Sequence, residues 1–524
     1  MFKIREISAI ENLGTKGAEN NNLHKEKITM NKNFKVLFIY PNVMMENLIP
    51  PSISILSACL KKEGFQVKLF DTTYYKTEEK SGDEIRIEHL QLRDFDLSKY
   101  GINYKETDIF EDLKNMVDSY GPDLLAITAV EDTYKLGISL LKSVKSYNIP
   151  TIVGGVHPTF SPDEVISEDC VDVICIGEGE EALVELCEKM CNDEDYTTVK
   201  NLWVKKDRKI HKNGLRPLVD INKLPFPDFS IFEKERFYRP MQGRIFRMAP
   251  FEASRGCPFS CTYCAAASLR VLYEGMGSYL RIKNVERLIE EIKYQKKKYD
   301  LQYVYFTSET FLATSDEHFQ KFVDMYKEIN LPFWIQTRPE TITEERVRLL
   351  EKINCNRITI GIESGNEKFR KEVLNRMVSN DGIIKALKIL EKSSIPVSVN
   401  NIIGAPDETR EQIFDTINLN RKIKADSISV FIFTPYRGTK LREVCLEKKY
   451  ISKDDFSANL RKKSILKMPQ LKSEEIYGLL RTFPLYVKFP ETRFDEIKVA
   501  ERFDEEGNKM FEKLSKEYRE KYFI

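Results

Sequence analysis

The stretch ASRGCPFSCTYCAA, residues 253–266, places three cysteines within eight residues. Cys257, Cys261 and Cys264 form a C-x3-C-x2-C pattern, and no histidine stands at ligand spacing beside them. A structural zinc site would normally need four ligands. Thiolate ligation of an iron–sulfur cluster fits the pattern better, because three cysteines on a four-iron cluster leave one iron open to a ligand that is not protein.

The composition around this stretch describes a large globular protein. With 524 residues, 42% of them hydrophobic and 31% charged, the chain is long enough for two or three domains. Its 82 basic and 81 acidic residues create no overall field toward nucleic acid, so we expect no nucleic-acid partner. The cysteines are scattered and no signal peptide precedes them, which predicts a reducing, cytoplasmic location without disulfides. No apolar run approaches the roughly 20 residues of a transmembrane segment.

Upstream of the cysteines, strand-like and helix-like patterns alternate. The apolar run FKVLFIYPN begins at Phe34, and the helical pattern SISILSACLKKEGF and the strand QVKLFD follow it. The alternation continues and predicts an α/β, doubly wound, Rossmann-like domain over residues 34–195. Residues 1–33 are polar and are expected to form a flexible tail, and residues 76–110 form a charged insertion in the domain.

A second series of strands and helices follows. Residues 196–245 are expected to link two domains and to contain a β-hairpin around Asn213-Gly214. About six β/α units over residues 246–450 predict a full or partial TIM-like β/α barrel, with its chemistry at the carboxyl ends of the strands. Residues 451–524 are charged and aromatic, and they predict a mostly helical C-terminal region.

With the aromatic Tyr263 before its last cysteine, the cysteine stretch resembles the signature of the radical S-adenosylmethionine superfamily. Within it, the chain resembles the large class that carries an N-terminal cobalamin-binding domain, over residues 34 to about 450. The resemblance implies a [4Fe-4S] cluster on the three cysteines, with the open iron chelated by S-adenosylmethionine. Reductive cleavage would yield a 5′-deoxyadenosyl radical, with electrons from a donor such as flavodoxin or ferredoxin.

Three later motifs of the barrel resemble those of the same family: YFTSETFL, IIGAPDET and FTPYRGT. Two more, WIQTRPE and GIESG, place polar residues at strand ends that are expected to face the same cavity. In the family such strand ends receive the methionine ammonium, the ribose hydroxyls and the adenine. Each polar residue alone also fits an ordinary structural or salt-bridged role, and Arg281 fits either a contact to the cluster loop or a carboxylate or a salt bridge at a helix start. The resemblance implies cofactor contacts for Tyr263, Ser308, Glu309, Gln336, Arg338, Glu363, Ser364 and Gly404.

The N-terminal domain contains two glycine-rich loops, VGGVHPTF and IGEGE, at predicted strand ends. Glycines there allow the backbone to approach a large flat ligand, and both loops resemble those of cobalamin-binding radical enzymes. The D-x-H-x-x-G motif that ligates cobalt is absent, because Thr73 stands at the histidine position. His157 then fits a cobalt ligand, another cofactor contact or a structural residue. The expected cobalamin contacts are Thr128, Gly154, Gly155, Val156, His157, Pro158, Thr159, Gly177, Glu178 and Gly179.

These features predict a cobalamin-dependent radical S-adenosylmethionine enzyme, and specifically a methyltransferase that delivers a methyl group from methylcobalamin to an unactivated carbon or to phosphorus. The same motifs allow an oxidative cyclase, a ring-contraction enzyme or a rearrangement enzyme without methyl transfer. A non-catalytic cobalamin sensor or carrier is a further alternative, against which the intact cysteine triad argues. An apolar or amphiphilic small-molecule substrate is favoured if an apolar stripe of the tail caps the barrel, although such a stripe also fits plain core. The stripe comprises Tyr477, Leu479, Leu480, Phe483, Tyr486 and Phe489.

Overall fold

The structure, a computed structural model, describes residues 33–457 and 463–523. All of the predicted N-terminal tail except residue 33 therefore lies outside the described residues. Two large sheets dominate the described part, and helices pack against each of them.

The first sheet contains seven strands of the N-terminal half. They are β1 (Lys35–Tyr40), β2 (Gln66–Asp71), β3 (Leu124–Thr128), β4 (Thr151–Gly154), β5 (Val173–Cys175), β6 (Leu202–Lys206) and β7 (Lys209–Lys212). Their order is β2-β1-β3-β4-β5-β6-β7, and β1 to β5 are parallel. The strand order reverses between β1 and β3, which is where an open parallel sheet leaves a crevice for a ligand. The predicted doubly wound fold is confirmed.

Helices lie between these strands. They are α1 (Pro51–Lys62), α2 (Gly82–Glu88), α3 (Ile109–Tyr120), α4 (Glu131–Ser143), α5 (Val156–Phe160), α6 (Pro162–Ser167) and α7 (Glu180–Cys191). The helix α2 belongs to the charged insertion, and its N-terminus is fixed by a capping box between Ser81 and Glu84.

The predicted hairpin exists, but its turn lies elsewhere. The strands β6 and β7 are joined at Asp207 and Arg208, whose φ values of 51° and 61° are those of a tight two-residue hairpin turn. The prediction of a turn at Asn213-Gly214 was therefore wrong. The Asn213 side chain instead donates to the carbonyls of Thr197 and Leu202. The hairpin pairs antiparallel with β5 and extends the N-terminal sheet.

The second sheet forms a half-barrel. Its strands are β8 (Tyr238–Met241), β9 (Arg244–Phe251), β12 (Tyr303–Phe306), β13 (Phe333–Thr337), β14 (Cys355–Glu363), β15 (Val397–Ile403) and β16 (Ser427–Ile432), while β10 (Ser254–Arg255) and β11 (Arg281–Ile282) form a separate ribbon. Six strands, β9 and β12 to β16, are parallel and follow each other in sequence order. The strand β8 pairs antiparallel with β9. Within the described ranges β8 and β16 do not pair with each other, so the barrel stays open.

Helices cover the outside of the half-barrel and form the C-terminal region, as predicted. They are α8 (Ala265–Leu272), α9 (Val285–Tyr299), α10 (Asp316–Tyr326), α11 (Glu344–Lys352), α12 (Glu367–Glu372), α13 (Asn380–Glu391), α14 (Arg410–Arg421), α15 (Lys440–Glu447), α16 (Ser473–Lys488), α17 (Phe494–Ala500) and α18 (Glu505–Tyr522). None of the helices in the described part is long and apolar enough to cross a membrane.

Along each strand of the half-barrel, successive side chains point to opposite faces of the sheet, as the pleat of a strand requires. In β14, Ile358, Ile360 and Ile362 are buried in the main hydrophobic core. The alternate residues Arg357 and Gly361 stay partly accessible on the inner face. The helices therefore bury the outer face, and the inner face carries both polar and aromatic side chains.

The apolar stripe of the tail belongs to the core. Leu479, Leu480 and Phe483 of α16 are fully buried, and the helix packs against α14 and β16. Tyr477 stacks on Phe503 with 5.1 Å between the ring centres. The structure therefore supports the interpretation of this stripe as plain core.

The charged insertion lies across the open side of the half-barrel. Gln91 accepts a hydrogen bond from the backbone N–H of Val430 in β16, at 3.0 Å. Tyr100, further along the insertion, contacts Tyr238 of β8 with 5.0 Å between the ring centres. Because these contacts reach both edge strands, the insertion covers the gap that an open barrel leaves.

Candidate active site

The cysteine loop runs from the end of β9 to the start of α8 and is held by the rest of the half-barrel. Thr262 donates its hydroxyl to the Val373 carbonyl at 2.6 Å, and Asn375 donates its side-chain amide to the Ser260 carbonyl at 2.8 Å. Gly256 adopts φ +90°, and a Cβ there would lie 2.9 Å from the carbonyl carbon of a packed tyrosine. The chain therefore needs glycine directly before the first cysteine.

The three thiols lie close enough to influence one another. Burial is the main cause that raises the pKa of Cys264 to about 11, and the charges of Cys261 and Cys257 raise it further. Hydrogen bonds from backbone N–H groups of α8 act in the opposite direction. Cys257 Sγ lies 3.7 Å from the Thr310 hydroxyl. All ten cysteines are free, so no disulfide competes for these thiols. This donor set fits a cluster held by three thiolates.

Arg338, predicted from the motif WIQTRPE, reaches the cysteine loop. Its Nη1 donates to Cys261 Sγ at 3.2 Å, and its guanidinium carbon lies 3.7 Å from the centre of the Phe259 ring. The carboxylate of Glu340 accepts from the other edge of the guanidinium, at 2.5 and 3.3 Å. The arginine is thereby fixed in a position where it stabilises negative charge on the sulfur.

Tyr263 and Glu363, which are 100 positions apart, meet through an arginine that the motifs did not reveal. Arg376 Nη1 donates to the Tyr263 hydroxyl at 3.2 Å and to Glu363 Oε1 at 3.3 Å, and its Nη2 donates to the Gly361 carbonyl at 2.6 Å. Glu363 holds a left-handed backbone with φ 68° at the end of β14. The segment around Arg376 carries no family-like motif, so only the three-dimensional structure identifies this residue.

The other predicted contacts of the half-barrel occupy mixed positions. Ser308 is fully buried and accepts from the Ser254 N–H at 3.0 Å, and Ser364 is fully buried. Gln336 donates to the Tyr305 hydroxyl at 2.8 Å. Gly404 adopts φ +79° in a turn whose N–H groups are bound by a buried glutamate. These residues shape the strand ends, and their contacts to a cofactor remain predictions.

A cavity of about 440 Å³ lies between the two sheets and opens to solvent. Its walls are the carboxyl ends of β3, β4 and β5, the connector 221–227, and the segment after β9. Most of the predicted cobalamin contacts line it. They are Thr128, Gly154, Gly155, Val156, Thr159, Gly177, Glu178 and Gly179, and Glu309 lines it from the other domain.

At two of these glycines a side chain would collide with the protein itself. Gly155 adopts φ +107°, and a Cβ there would lie 2.6 Å from the carbonyl oxygen of Ala129. At Gly177, with φ +76°, a Cβ would overlap the hydroxyl of Tyr273. These contacts within the protein require glycine at both positions. The cavity that the strand ends line is the place where an open parallel sheet receives a ligand.

His157 points away from this cavity. It is buried between Tyr134, at 4.2 Å between ring centres, and Phe456, at 6.0 Å. Burial lowers its pKa to about 4, and both ring nitrogens lack a partner in the described part of the chain. Neither it nor Pro158 is among the lining residues. Where a D-x-H motif would place a histidine, Thr73 instead donates its hydroxyl to Asp71 at 2.6 Å.

An ion network that the motifs did not predict crosses the mouth of the cavity. Glu178 accepts from Arg281 at 2.5 and 3.0 Å and from Arg255 at 3.1 Å. Arg255 also donates to Glu180 at 2.7 Å and to Glu252 at 2.8 Å. Burial alone would raise the pKa of Glu178, but the two arginines hold it below its usual value. Of the roles considered for Arg281, contact to a carboxylate is the observed one.

Comparison with known proteins agrees with this geometry. The model of the radical SAM superfamily matches residues 251–419, and the model of the B12 binding domain matches residues 45–187. An uncharacterized methyltransferase of Pyrococcus horikoshii is 26% identical over 385 residues, which cover 72% of this chain and 81% of the relative. The anaerobic magnesium-protoporphyrin IX monomethyl ester cyclase of Rubrivivax gelatinosus is 23% identical over 427 residues, 77% of this chain and 68% of the relative.

A solved structure shows the same fold over most of the chain. The cobalamin-dependent S-adenosylmethionine radical enzyme OxsB, with aqua-cobalamin and S-adenosylmethionine bound, superposes with a TM-score of 0.63 at 15% sequence identity. The match covers 93% of this chain and 72% of that chain. At this identity the likeness shows the arrangement of the domains and leaves the reaction open.

Proposed function

Because this chain belongs to the radical S-adenosylmethionine enzymes that carry an N-terminal B12-binding domain, we propose that it is a cobalamin-dependent methyltransferase. The proposed acceptor is an unactivated carbon, or a phosphorus, of a small-molecule substrate. The observation that carries the proposal is the shared cavity, in which the glycine-rich strand ends of one domain face Glu252 and Arg255, just before the cysteine loop. A transfer between two cofactors needs this near-contact arrangement.

When bound, the [4Fe-4S] cluster with S-adenosylmethionine supplies a 5′-deoxyadenosyl radical, and cobalamin supplies the methyl group. In this chain Cys257, Cys261 and Cys264 would hold the cluster. Arg338 donates to Cys261 Sγ, and hydrogen bonds to cluster sulfurs help to set the reduction potential. Arg376 orients the Tyr263 hydroxyl and the Glu363 carboxylate beside this loop, as two polar groups for S-adenosylmethionine.

On the cobalamin side, the residues that face the cavity are backbone and small side chains. Gly155 and Gly177 line the cavity without a side chain, and Thr128 offers a hydroxyl. The Thr159 hydroxyl donates to the Gly155 carbonyl and accepts the Gly177 N–H. Of the histidines in the described ranges none lines the cavity, and His157 is enclosed by two aromatic rings. We therefore propose that backbone and small side chains of these strand ends would hold cobalamin, and that no histidine of the described ranges would contact it.

The test distinguishes methyl transfer from radical chemistry in which no methyl group is transferred. The second reaction type is an alternative because one relative is a cyclase. Anaerobically reconstituted enzyme with reduced cobalamin is given S-adenosylmethionine, and S-adenosylhomocysteine and 5′-deoxyadenosine are quantified. A methyltransferase forms S-adenosylhomocysteine in an amount that matches the bound cobalamin, even before a substrate is known. Formation of 5′-deoxyadenosine with no S-adenosylhomocysteine would contradict the proposal and favour a cyclase or rearrangement enzyme.

A matched pair of variants tests the cluster. Cys264→Ala removes a thiol of the loop, whereas Cys191→Ala removes an exposed thiol at the end of α7. We expect the first variant to lose most of its iron and the second to keep the wild-type content. Equal iron in both would contradict the ligand assignment.

We further propose a cytoplasmic location and a flavodoxin or ferredoxin donor, because free thiols and a reducible cluster need a reducing compartment.

A further inference from the structure

The inner face of the half-barrel carries an arginine without an acidic partner. Arg357 is the third residue of β14 and shares the inner face with Thr359 and Gly361, since alternate residues of a strand point the same way. Its Nη1 donates to the hydroxyl of Ser398 on the neighbouring strand. Among the described residues no carboxylate lies within ion-pair distance of its guanidinium, and its Nε is buried without an acceptor.

Such a position is costly for an arginine unless something compensates its charge. A buried charge is normally paired, because its desolvation is otherwise unfavourable. Burial lowers the pKa of Arg357; Tyr303 and Asp426 act in the opposite direction, and the positive charges of Arg93 and Arg86 lower it further. The carboxylate of Asp426 accepts the Val397 N–H at 2.8 Å and does not pair with the arginine. The charge around the Arg357 guanidinium is therefore positive, and a bound anion would compensate it.

An aromatic wall stands beside this charge on the same face. Tyr305 and Trp334 pack with 4.6 Å between their ring centres, and Trp334 is the neighbour of Arg357 in the β13–β14 register. The indole N–H donates to the Thr359 hydroxyl at 2.7 Å, which fixes the ring. Trp334 and Arg357 both keep part of their surface accessible, although the insertion covers the open side of the half-barrel. An enclosed, partly accessible face of this kind fits a ligand with a planar or apolar body.

We propose that the substrate of this enzyme carries an oxyanion, a carboxylate or a phosphate-type group, which Arg357 binds on the inner face of the half-barrel while Tyr305 and Trp334 contact its apolar body. The proposal rests on the proposed function, since it assigns the substrate class of that site. Arg357 and Gly361 are four residues apart in β14, roughly 13 Å along a strand. A molecule of about this length therefore spans from the arginine to the carboxyl ends of the strands, where the cofactors bind.

Binding of anionic and neutral probes to the cobalamin-loaded, reconstituted enzyme tests this without turnover. Indole-3-acetate and phenyl phosphate present the two candidate oxyanions on an aromatic body, and indole-3-acetamide is the neutral match. Calorimetric titration should show binding of at least one anion and weaker binding of the amide. Arg357→Gln should weaken the anion roughly ten- to a hundredfold, the effect expected for a hydrogen bond to a charged group, and leave the amide unchanged.

Two further variants keep the test decisive. Arg348→Gln changes an exposed arginine that pairs with Glu345 on α11, and it should bind all probes as the wild type does. Arg357→Lys keeps the charge but loses the planar fork, so it should bind the anions at intermediate strength even if the glutamine variant is unstable. Equal anion affinity in wild type and Arg357→Gln, or an amide that binds as tightly as the anions, would overturn the proposal.

Absence of anion binding at millimolar concentration would overturn it as well. The relative affinity of the two anions then tells a carboxylate substrate from a phosphate-type one. Formation of S-adenosylhomocysteine by the wild type is measured on the same preparation. A preparation that forms none while it binds the anions contradicts the methyltransferase and leaves the oxyanion site in place.

Discussion

Replacement of Gly177 by alanine tests how the glycine-rich loop 177–179 of the N-terminal domain packs against the half-barrel that carries the cysteines. Gly177 adopts φ +76°, and an added Cβ would overlap the Tyr273 hydroxyl and lie 2.9 Å from its ring carbon Cζ. The tyrosine has little freedom to yield, because it is 2% exposed and its hydroxyl accepts the Glu178 N–H at 2.8 Å. Tyr273 directly follows α8, so its displacement acts on the helix that begins at the last cysteine.

The magnitude follows from two separate costs. A left-handed backbone costs an alanine roughly 1 kcal/mol relative to glycine. Overpacking of a tight contact adds typically about 1–3 kcal/mol. We therefore expect Gly177→Ala to lower the free energy of unfolding by about 2–4 kcal/mol. Gly214→Ala is the matched control, because a Cβ there meets nothing within 4 Å, and it should cost less than about 0.5 kcal/mol.

The assay is urea unfolding of both glycine variants, of Tyr273→Ala and of the double variant Gly177→Ala/Tyr273→Ala. Removal of the ring relieves the overlap, so the double variant should be more stable than the sum of the single effects predicts, by about 1–3 kcal/mol. Affinity for hydroxocobalamin should fall in Gly177→Ala and recover partly in the double variant. Additive single effects, or a Gly177→Ala variant as stable as the Gly214 control, would refute the steric argument.

Three further predictions concern charge. Burial raises the pKa of Glu408 to about 8. The protonated side chain therefore stabilises the fold fully below about pH 4.5, and this contribution is lost as the pH rises to about 8. In thermal melts, the melting temperature of Glu408→Gln should decline less over this pH range than that of the wild type. Glu131 accepts from two buried arginines of the other domain, and Glu131→Gln should lower the free energy of unfolding by about 3–5 kcal/mol, whereas the more exposed Glu164→Gln should cost about 1 kcal/mol or less. Arg338→Met removes the donor to Cys261 Sγ, so potentiometric titration should give a lower cluster potential with unchanged iron content.

The fold was predictable because its signals are local. The strands and helices predicted over residues 246–450 are observed, for example as α9 (Val285–Tyr299), because apolar residues at helical spacing can be recognised from neighbouring residues alone. The hairpin turn was not predictable in the same way. Asn213-Gly214 has the usual turn chemistry, but pairing of β6 with β5 sets the register and moves the turn to Asp207.

The site shows the same division between local and distant information. The cysteine spacing predicts its ligands because all three lie on one short loop. The ion pair between Arg281 and Glu178 joins residues 103 positions apart, and the bond from Arg376 to Tyr263 joins residues 113 positions apart. No spacing rule connects such pairs, because the partners meet only in the folded chain. The sequence therefore did not reveal that the Glu178 carboxylate accepts from Arg281 and Arg255, and the contact of Glu178 to a cofactor stays a prediction.

This network has a consequence for how the two cofactor sites are related. Glu178 belongs to a loop of the B12-binding domain, and Arg255 stands two residues before Cys257. The two loops are joined by charge-assisted hydrogen bonds that involve protein atoms alone, and such bonds lose much of their value if one partner moves away. Movement of one domain against the other would leave buried charges unpaired. Contacts within the chain itself therefore set the position of the glycine-rich loop 177–179 relative to the cysteine loop.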